Sequence, residues 1–224
     1  MNYIETLYED NHVLIAVKPA GILSQSDKTG DPDMLELLKT YLKEKYNKPG
    51  DAYLGLVHRL DRGVGGVMVF AKTSKAASRL SDSIRKNEIS KRYYAVLEGV
   101  LDQPKGFLRS YLLKDEKVDK VSWVNKNTPN AKEAVLDYEL CQIMKGRSLV
   151  KINLHTGRPH QIRAQFAQIG CPVAGDVKYG IKTGGMSQPA LWSYSLTIIH
   201  PVKKEEMVFE KDPPHESPWT DFGF

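Results

Sequence analysis

Short apolar runs, broken by turn residues, dominate the beginning of the chain. The run Val13–Val17 predicts a strand that stops before Pro19. The pair Asp31-Pro32 is typical of a helix N-cap followed by the first helical residue. The predicted helix would bury one apolar face, formed by Leu35, Leu38 and Leu42. The pattern therefore predicts an opening strand and an amphipathic helix.

A charged, glycine-rich turn comes next, between the apolar runs Leu56-Val57 and Val67–Phe70. These runs predict the ends of two buried strands. Ser74 can cap a second amphipathic helix, whose inward residues would be Ala77, Leu80 and Ile84. A further strand is predicted at Tyr93–Leu97. Because functional residues are often found on turns held by buried elements, the charged turn is a candidate site.

The second half of the chain is richer in strands. An antiparallel meander is predicted from the segments Phe107–Leu113, Val118–Val124, Ala134–Ile143 and Leu149–Leu154. Pro159 fits the first turn of a short helix that would end at Gly170. The residues that this helix would bury are Ile162, Phe166 and Ile169. Two last strands are predicted at Leu191–Ile199 and Met207–Phe209.

Strands outnumber helices in this pattern, and the two do not alternate regularly. The predicted fold class is therefore α+β, with a mixed, mainly antiparallel β-sheet flanked by helices and loops. A chain of 224 residues is long enough for one large domain or two small ones. No linker-like segment interrupts the pattern, so we expect residues 1–224 to form a single domain.

Composition narrows the class of protein. Hydrophobic residues make up 41% of the chain, which is typical of a globular protein with a sizeable core. No apolar run approaches the roughly 18 residues of a membrane span, and we expect no secretory leader at the start. Cys141 and Cys171 match no metal or redox spacing, which favours free thiols and a cytoplasmic location. The histidines include no pair at i and i+4, so no metal site is predicted.

Positive charge is concentrated in one part of the chain. The net charge is +5, and no Asp or Glu occurs between Leu140 and Gly175. The basic residues of this zone are Lys145, Arg147, Lys151, Arg158 and Arg163. Such a zone favours a polyanionic partner such as RNA, and a solvated basic face is an equally good interpretation from charge alone.

Asp61 is the strongest candidate for chemistry. It lies between Arg59 and Arg62, and glycines follow it at positions 63, 65 and 66. Flanking cations keep a carboxylate ionised, which suits a nucleophile or a base rather than a proton donor. The glycines do not match a dinucleotide-binding loop, because its third glycine is missing and a strand follows where a helix should begin.

A second cluster of polar residues, Asn153–Arg163, surrounds the start of the predicted short helix. A helix N-terminus itself favours an anion. Arg163 lies about 100° around the helix from Ile162, at the border of the apolar face. Arg163 can there pair with a carboxylate in a cleft; contact with phosphate, or a solvated helix face, is the alternative.

A third segment, Ser90–Gly99, combines basic residues with two tyrosines. Alternation along a strand would place Tyr93 and Tyr94 on opposite faces. A tyrosine beside basic residues can stack on a nucleobase, whereas most tyrosines in strands only contribute to the core or to the sheet surface.

Together these segments resemble the signature blocks of the RluA family of RNA pseudouridine synthases. His58–Asp61 resembles the block that carries the family's catalytic aspartate, and Lys91 with Tyr93 resembles its Lys-x-Tyr strand. The segment His155–Arg163 resembles the third block. Further likeness near residues 10–21, 175–180 and 191–201 means that family-like blocks cover about residues 8–201.

The sequence departs from the family pattern directly after Asp61. The family follows its aspartate with x-x-Thr-Ser-Gly, whereas this chain has Val64-Gly65-Gly66 at the last three positions. The loss of two hydroxyls and the extra glycine predict a looser turn. Many family members also carry an N-terminal S4-type RNA-binding domain, which we do not expect here.

The resemblance implies that the chain is a catalytic domain converting specific uridines in structured RNA, ribosomal or transfer RNA, to pseudouridine without cofactor or metal. A uridine in a stem would be flipped out of the duplex. Asp61 would attack C1′ of the ribose, or act as a base at C2′ to give a glycal; the sequence leaves both routes open. Both need an ionised carboxylate, so Arg163 is expected to be its cationic partner.

The resemblance also implies binding roles. Tyr93 would stack on the flipped uracil and exchange a proton at C5, and Leu191 would close the other side of the base pocket. Arg59 would enter the RNA stack where the base had been. The residues expected to contact phosphates are Lys145, Arg147, Lys151 and Arg158. The remaining candidates for contact with RNA or the base are Arg62, Lys91, His155 and His160.

Two other functions fit parts of the sequence. A non-catalytic RNA-binding or chaperone protein on the same fold would account for the altered turn after Asp61. A carboxylate-dependent glycosidase acting on a nucleoside would need a second acid near Asp61, which the three blocks do not supply. For the leading function we expect a monomer with RNA as its partner and no association with membranes.

Overall fold

The computed structural model describes residues 4–47, 49–180, 186 and 188–224. Its strands are β1 (Thr6–Glu9), β2 (Val13–Lys18), β3 (Gly55–Leu56), β4 (Gly65–Ala71), β5 (Ser90–Glu98), β6 (Lys105–Asp115), β7 (Lys120–Val124), β8 (Lys132–Met144), β9 (Arg147–Leu154), β10 (Leu191–Ile199) and β11 (Glu206–Glu210). Its α-helices are α1 (Met34–Lys45), α2 (Ser74–Arg85) and α3 (Gln161–Gln168).

The chain divides into two compact units. The first contains the described residues through Ser90 together with Ser193–Lys211, and the second contains Lys91–Trp192 and Asp212–Phe224. The prediction of a single domain over residues 1–224 remains a prediction.

The first unit is built on a sheet in which β1, β2, β4 and β10 lie side by side in that order. Strands β2 and β4 are antiparallel, with Lys18 opposite Gly66 at the end of the pairing. Every residue of both strands is buried. One face of the sheet, which includes Ile15 and Val69, packs against Leu80 of α2. This buried pair of strands supports the turn that precedes β4.

The predicted strands and helices of the first unit are present, but both helices begin at other residues than predicted. The prediction that Asp31 caps α1 is wrong, because Asp33 Oδ1 accepts the backbone N–H groups of Leu35 and Glu36 at 2.8 and 3.1 Å. Pro32 therefore lies outside the helix. Strand β1 was not predicted, since its four residues alternate too briefly to give a periodic signal.

The second helix shows the same kind of shift. Thr73 rather than Ser74 is its N-cap, because the Thr73 hydroxyl accepts the N–H of Ala76 at 3.1 Å. Ala76 and Leu80 are its buried residues, whereas the predicted inward residues Ala77 and Ile84 are half-buried.

The second unit has the strand order β5-β9-β8-β6-β7, and all of these pairings are antiparallel. The predicted meander is wrong in its order. Leu112 of β6 lies opposite Trp123 of β7 on one side and Lys132 of β8 on the other. Strand β7 is therefore an edge strand, and β8 passes it to pair with the second edge of β6.

Helix α3 packs on β6 and β7. Pro159 lies before its N-cap, His160, and not in its first turn as predicted. Ile162 and Phe166 are buried, but Ile169 lies beyond the end of the helix and is 42% exposed. Gly170 follows with a φ of +80°, which is favourable for glycine at the end of a helix.

The predicted α+β class with a mainly antiparallel sheet is confirmed. Cys141 and Cys171 are free thiols, as their spacing predicts. Among the described residues, none of the helices combines the length and the apolarity that crossing a bilayer requires.

Candidate active site

Asp61 lies in the first unit, in the turn that leads from β3 into β4, and it is half-buried. The N–H of Val64 donates to the Asp61 carbonyl at 3.0 Å and closes the turn. Val64 itself is 2% exposed, so its side chain anchors the turn in the core. The residues before and after Asp61 are fixed by two buried polar side chains.

Ser24 fixes the residue before Asp61. Its hydroxyl donates to the carbonyl of Leu60 at 2.7 Å and accepts the N–H of the same residue at 3.1 Å. The side chain is nearly inaccessible, and both backbone groups of Leu60 are satisfied by it. The entry to the turn is therefore held by a side chain 36 residues earlier in the chain.

Lys18 fixes the residues after Asp61. Its ammonium is completely buried and donates to the carbonyls of Pro19, Arg62 and Val64 at 3.0, 3.0 and 2.8 Å. Burial lowers the pKa of Lys18 to about 7, although the nearby charge of Asp61 acts in the opposite direction. The exit from the turn is thus bound to the end of β2.

Gly66 is the glycine that the family pattern also has at this position, so the departure from the pattern lies at Val64 and Gly65. Its φ is +121°, and a Cβ at this position would lie 2.2 Å from the carbonyl oxygen of Ser193. Only glycine permits this approach of β4 to β10. The looser turn that Val64-Gly65-Gly66 predicts is opposed by the contacts of Ser24 and Lys18.

The two arginines beside Asp61 have different surroundings. Arg59 is exposed. Arg62 donates through Nε to the carbonyl of Gly21 at 3.1 Å, and its Nη2 lies 2.8 Å from Asp31. The Gly21 N–H in turn donates to the Arg62 carbonyl at 2.8 Å. Arg62 therefore holds the turn after β2 against the turn that carries Asp61.

Arg163 lies in the second unit, on α3, and is 8% exposed. Its guanidinium donates to Asp176 through Nε at 2.6 Å and through Nη2 at 2.8 Å. Asp176 also accepts the backbone N–H groups of Lys178 and Tyr179 at 3.0 and 3.2 Å. Burial alone would raise the pKa of Asp176, but the hydrogen bonds and charge of Arg163 hold it below the usual range. This fork-to-fork pair orients the guanidinium.

Tyr179 supports the same arginine. The Arg163 guanidinium carbon lies 5.2 Å from the centre of the Tyr179 ring. The Tyr179 hydroxyl accepts the N–H of Val121 at 2.7 Å and lies 2.8 Å from His160 Nδ1. Tyr179 thereby connects the start of α3 to strand β7.

The third block contains residues that fold back on β8. The Thr156 hydroxyl accepts the N–H of Val135 at 2.8 Å, and Gln161 Nε2 donates to the Val135 carbonyl at 3.1 Å. His155 Nε2 lies within hydrogen-bonding distance of Asp137, and Arg158 Nε donates to a backbone carbonyl of β8. Much of this block therefore holds the loop before α3 in place.

Tyr93 and Lys91 lie on β5. Tyr93 is opposite Ile152 of β9 and is 6% exposed. A Cβ built on Gly157 would lie 3.2 Å from Lys91 Nζ, so Lys91 approaches the loop of the third block. Burial lowers the pKa of Lys91. Leu191 is 5% exposed at the start of β10.

The basic zone is partly neutralised within the second unit. Arg147 binds Glu98 through Nε and Nη2 at 3.1 and 2.9 Å, and Lys145 Nζ lies 2.6 Å from Asp221. Lys151 remains exposed beside the Tyr94 ring. The acids that pair with the zone come from outside it, so the charge run overstates the positive charge of the surface.

Comparison with known proteins identifies the family. The RNA pseudouridylate synthase family matches residues 12–168. The chain therefore belongs to this family, and its activity is the isomerisation of uridine in RNA.

Relatives match most of the chain. An uncharacterised RNA pseudouridine synthase of Bacillus subtilis is 34% identical, over 92% of this chain and 68% of its own length. The ribosomal large subunit pseudouridine synthase C of Buchnera aphidicola is 31% identical, over 90% of this chain and 64% of its own. The tRNA pseudouridine synthase C of Haemophilus influenzae is 31% identical, over 91% of this chain and 90% of its own length.

The fold is also found in a solved structure. Human RNA pseudouridylate synthase domain containing 4 superposes with a TM-score of 0.79, covering 94% of this chain and 88% of that one at 22% identity. The resemblance to the RluA family inferred from the sequence is confirmed by the family match and the relatives.

Proposed function

We propose that Asp61 is the catalytic carboxylate with which this protein converts specific uridines of ribosomal or transfer RNA to pseudouridine. The observation that carries the proposal is the fixation of the Asp61 turn on both sides, by Ser24 before it and by Lys18 after it. These contacts hold the backbone on both sides of Asp61, and a fixed backbone restricts where its carboxylate can lie, which is how preorganised sites lower a barrier.

The reaction breaks the bond between N1 of uracil and C1′ of ribose, turns the base, and forms a bond from C5 to C1′. The C5 proton is lost and N1 gains a proton, so the change is an isomerisation. Asp61 either attacks C1′ to form a covalent ester or removes a proton from C2′ to give a glycal. Both routes need Asp61 in its ionised form.

Arg163 is the proposed cationic partner of Asp61. Its two hydrogen bonds to Asp176 use Nε and Nη2, and a guanidinium carries five N–H donors in all. Tyr93 is proposed to stack on the flipped uracil and to exchange the proton at C5, with Leu191 on the other side of the base. Arg59, which is exposed, is proposed to fill the space that the base leaves.

Two of the relatives support ribosomal and transfer RNA as the substrates. The Buchnera relative is named as a ribosomal large subunit pseudouridine synthase, and the Haemophilus relative as a tRNA pseudouridine synthase. Lys151 and Arg158 are the proposed phosphate contacts. Lys145 and Arg147 contribute less, because both are already in ion pairs. We propose that the chain acts as a single catalytic domain, a monomer in the cytoplasm.

The test is the variant Asp61→Asn, which keeps the shape of the side chain and removes the charge. On unmodified ribosomal and transfer RNA transcripts carrying tritium at uridine C5, we expect tritium release to fall on the order of 10⁴-fold. RNA affinity should be retained. The control is Asp31→Asn, whose carboxylate binds Arg62 beside the same turn. Full turnover by Asp61→Asn would refute the proposed role.

A further inference from the structure

The second unit contains a pocket of about 290 Å³, bordered by strands β6 and β7, the start of β8 and the loop that precedes α3. Its apolar lining includes Leu112, Val121 and Pro159. Binding sites for small molecules begin at about 300 Å³, so the pocket has room for one nucleotide-sized group and not for a duplex. The described residues that line it do not include Asp61 or Arg163. The pocket is therefore separate from the residues proposed to carry the reaction.

Strand pairing places an aromatic ring and a cation on the two sides of the apolar floor. Leu112 of β6 lies opposite Trp123 of β7 on one side and opposite Lys132 of β8 on the other. Residues directly opposite each other in antiparallel strands share a face of the sheet, so the three side chains form one row. Leu112 is 3% exposed, whereas Trp123 on the edge strand is 61% exposed. An uncovered indole thus stands next to the floor of the pocket.

The rim of the pocket is positively charged. Lys114, Lys132 and Arg158 contribute cations to it, and Glu116 contributes a carboxylate. Glu116 is already bound by Lys114 at 2.7 Å. Within the part of the chain that the structure describes, neither Lys132 nor Arg158 is in an ion pair with a carboxylate. Two cations are therefore available to an anion beside the apolar floor.

We propose that this pocket binds one unpaired nucleotide of the substrate RNA, other than the uridine that reacts. The base stacks on the indole of Trp123 and covers Leu112, while the neighbouring phosphates bind Lys132 and Arg158. An aromatic ring stacks on any base, so the pocket selects RNA with a loop or bulge at the right place and not a particular base. The proposal rests on RNA as the substrate and not on the role of Asp61. An acidic peptide would supply only the negative charge, whereas an unpaired nucleotide supplies both the charge and a flat ring.

The experiment compares Trp123→Leu with Phe107→Leu. Phe107 is a matched control, because it is 57% exposed on β6 and lies five residues before Leu112, on the opposite face of the sheet. The probes are the unmodified transcript that wild type modifies and a fully paired RNA duplex of the same length. For Trp123→Leu we expect affinity for the transcript to fall on the order of 10-fold, with a matching rise in KM, unchanged kcat, and duplex affinity within about twofold of wild type. Phe107→Leu should bind both probes as wild type does.

Tryptophan fluorescence gives a second measurement on the unaltered protein. Trp192 and Trp219 are 6% and 4% exposed, so quenching by acrylamide reports mainly on Trp123. The transcript should protect this fluorescence from acrylamide, and the duplex should not.

The proposal is overturned if Trp123→Leu binds the transcript as tightly as wild type, if it loses as much affinity for the duplex, or if the transcript leaves the quenching unchanged. The pocket would then be a site for an acidic peptide or for no ligand. Because these are binding measurements, an active Asp61→Asn variant would overturn the role of Asp61 without changing their outcome. The two failures are therefore distinguishable.

Discussion

The guanidinium of Arg163 is held by the carboxylate of Asp176 through two hydrogen bonds, from Nε at 2.6 Å and from Nη2 at 2.8 Å. Both side chains are buried, and the Asp176 side chain is completely inaccessible. Asp176 is in turn held by two backbone N–H groups, of Lys178 and Tyr179. The orientation of Arg163 is therefore set by the segment that follows α3 and not by the helix alone.

Replacing Asp176 by asparagine should impair catalysis through Arg163. One acceptor oxygen remains, so the fork is broken and the buried guanidinium loses the negative charge of Asp176, at a cost of up to about 3–5 kcal/mol in stability. In the folded fraction we expect kcat to fall on the order of 10²-fold with little change in KM. Steady-state kinetics on a tritiated transcript, with folding followed by circular dichroism, measures both effects.

Asp137→Asn is the control for this prediction. Asp137 pairs with His155 in the same unit, but both side chains are nearly half exposed. Its loss should cost at most about 1 kcal/mol and leave kcat near wild type. Equal kcat values for folded Asp176→Asn and wild type would show that Arg163 does not depend on this pair.

Functional residues that lie in local motifs can be predicted from the sequence, whereas residues that act through contacts distant in the chain cannot. Asp61 and Arg163 stand in local blocks whose residue types and spacing are informative by themselves. Lys18 gained its importance only when the fold brought it to carbonyls 44 and 46 residues later in the chain. The sequence shows Asp176 only as part of a family-like segment, because its contact with Arg163 depends on the path of the chain after α3.

The charge of the protein surface also depends on contacts between residues that are distant in the chain. A run without acids between Leu140 and Gly175 predicts a basic surface, yet Glu98 and Asp221 reach Arg147 and Lys145 from outside the run. Antiparallel pairing of β5 with β9 places Glu98 directly opposite Arg147. One-dimensional charge counts omit such cross-strand partners.

Gly66→Ala should destabilise the first unit. The Cβ would lie 2.2 Å from the carbonyl oxygen of Ser193, and φ of +121° is unfavourable for alanine. Backbone strain and overpacking each cost about 1–3 kcal/mol, and we expect at least about 2 kcal/mol in the free energy of unfolding. Urea denaturation measures this difference.

The variant Gly30→Ala separates the cost of the positive φ from the cost of the steric clash with Ser193. Gly30 also has a positive φ, +74°, but a Cβ there meets nothing within 4 Å. This variant should lose only about 1 kcal/mol through its backbone conformation. Equal losses in the two variants would mean that the approach of Ser193 has no energetic effect.

Glu9 makes stability depend on pH in the acid range. Burial would raise its pKa, but hydrogen bonds from Lys45, Lys72 and Tyr46 lower it from 4.5 to about 2. Because the folded-state pKa lies below the unfolded one, the stabilisation is complete above about pH 4.5 and is lost as the pH falls towards 2. Its size is at most about 3 kcal/mol, since Lys45 is partly exposed and screened by solvent.

The variant Glu9→Gln tests this dependence. Thermal or urea denaturation should find it less stable than wild type at pH 7, with a difference that narrows between pH 4.5 and pH 3. Glu5→Gln is the control, because Glu5 pairs with Lys211 on the surface with a side chain 48% exposed. A difference between wild type and Glu9→Gln that stays constant with pH would contradict the assignment.

RNA affinity should depend on Arg158 and hardly on Arg147. Arg158 lines a pocket of about 290 Å³ together with Lys114 and Lys132, and its Nε is the group bound to the carbonyl of Glu133. Arg147, by contrast, donates through both Nε and Nη2 to the carboxylate of Glu98. A cation already paired with a carboxylate gains little from a phosphate, because the existing pair must first be broken.

Filter binding or fluorescence anisotropy over a range of salt concentrations measures this difference. Removing one cation that binds a phosphate should reduce the slope of log Kobs against log salt by about 0.7–0.9. We therefore expect Arg158→Ala to weaken binding and lower the slope by about this amount, while Arg147→Ala leaves the slope unchanged. If Arg147→Ala lowers the slope as much as Arg158→Ala, RNA must break the ion pair between Arg147 and Glu98 when it binds. The run without acids between Leu140 and Gly175 would then predict the RNA-binding surface better than the ion pairs of the RNA-free protein do.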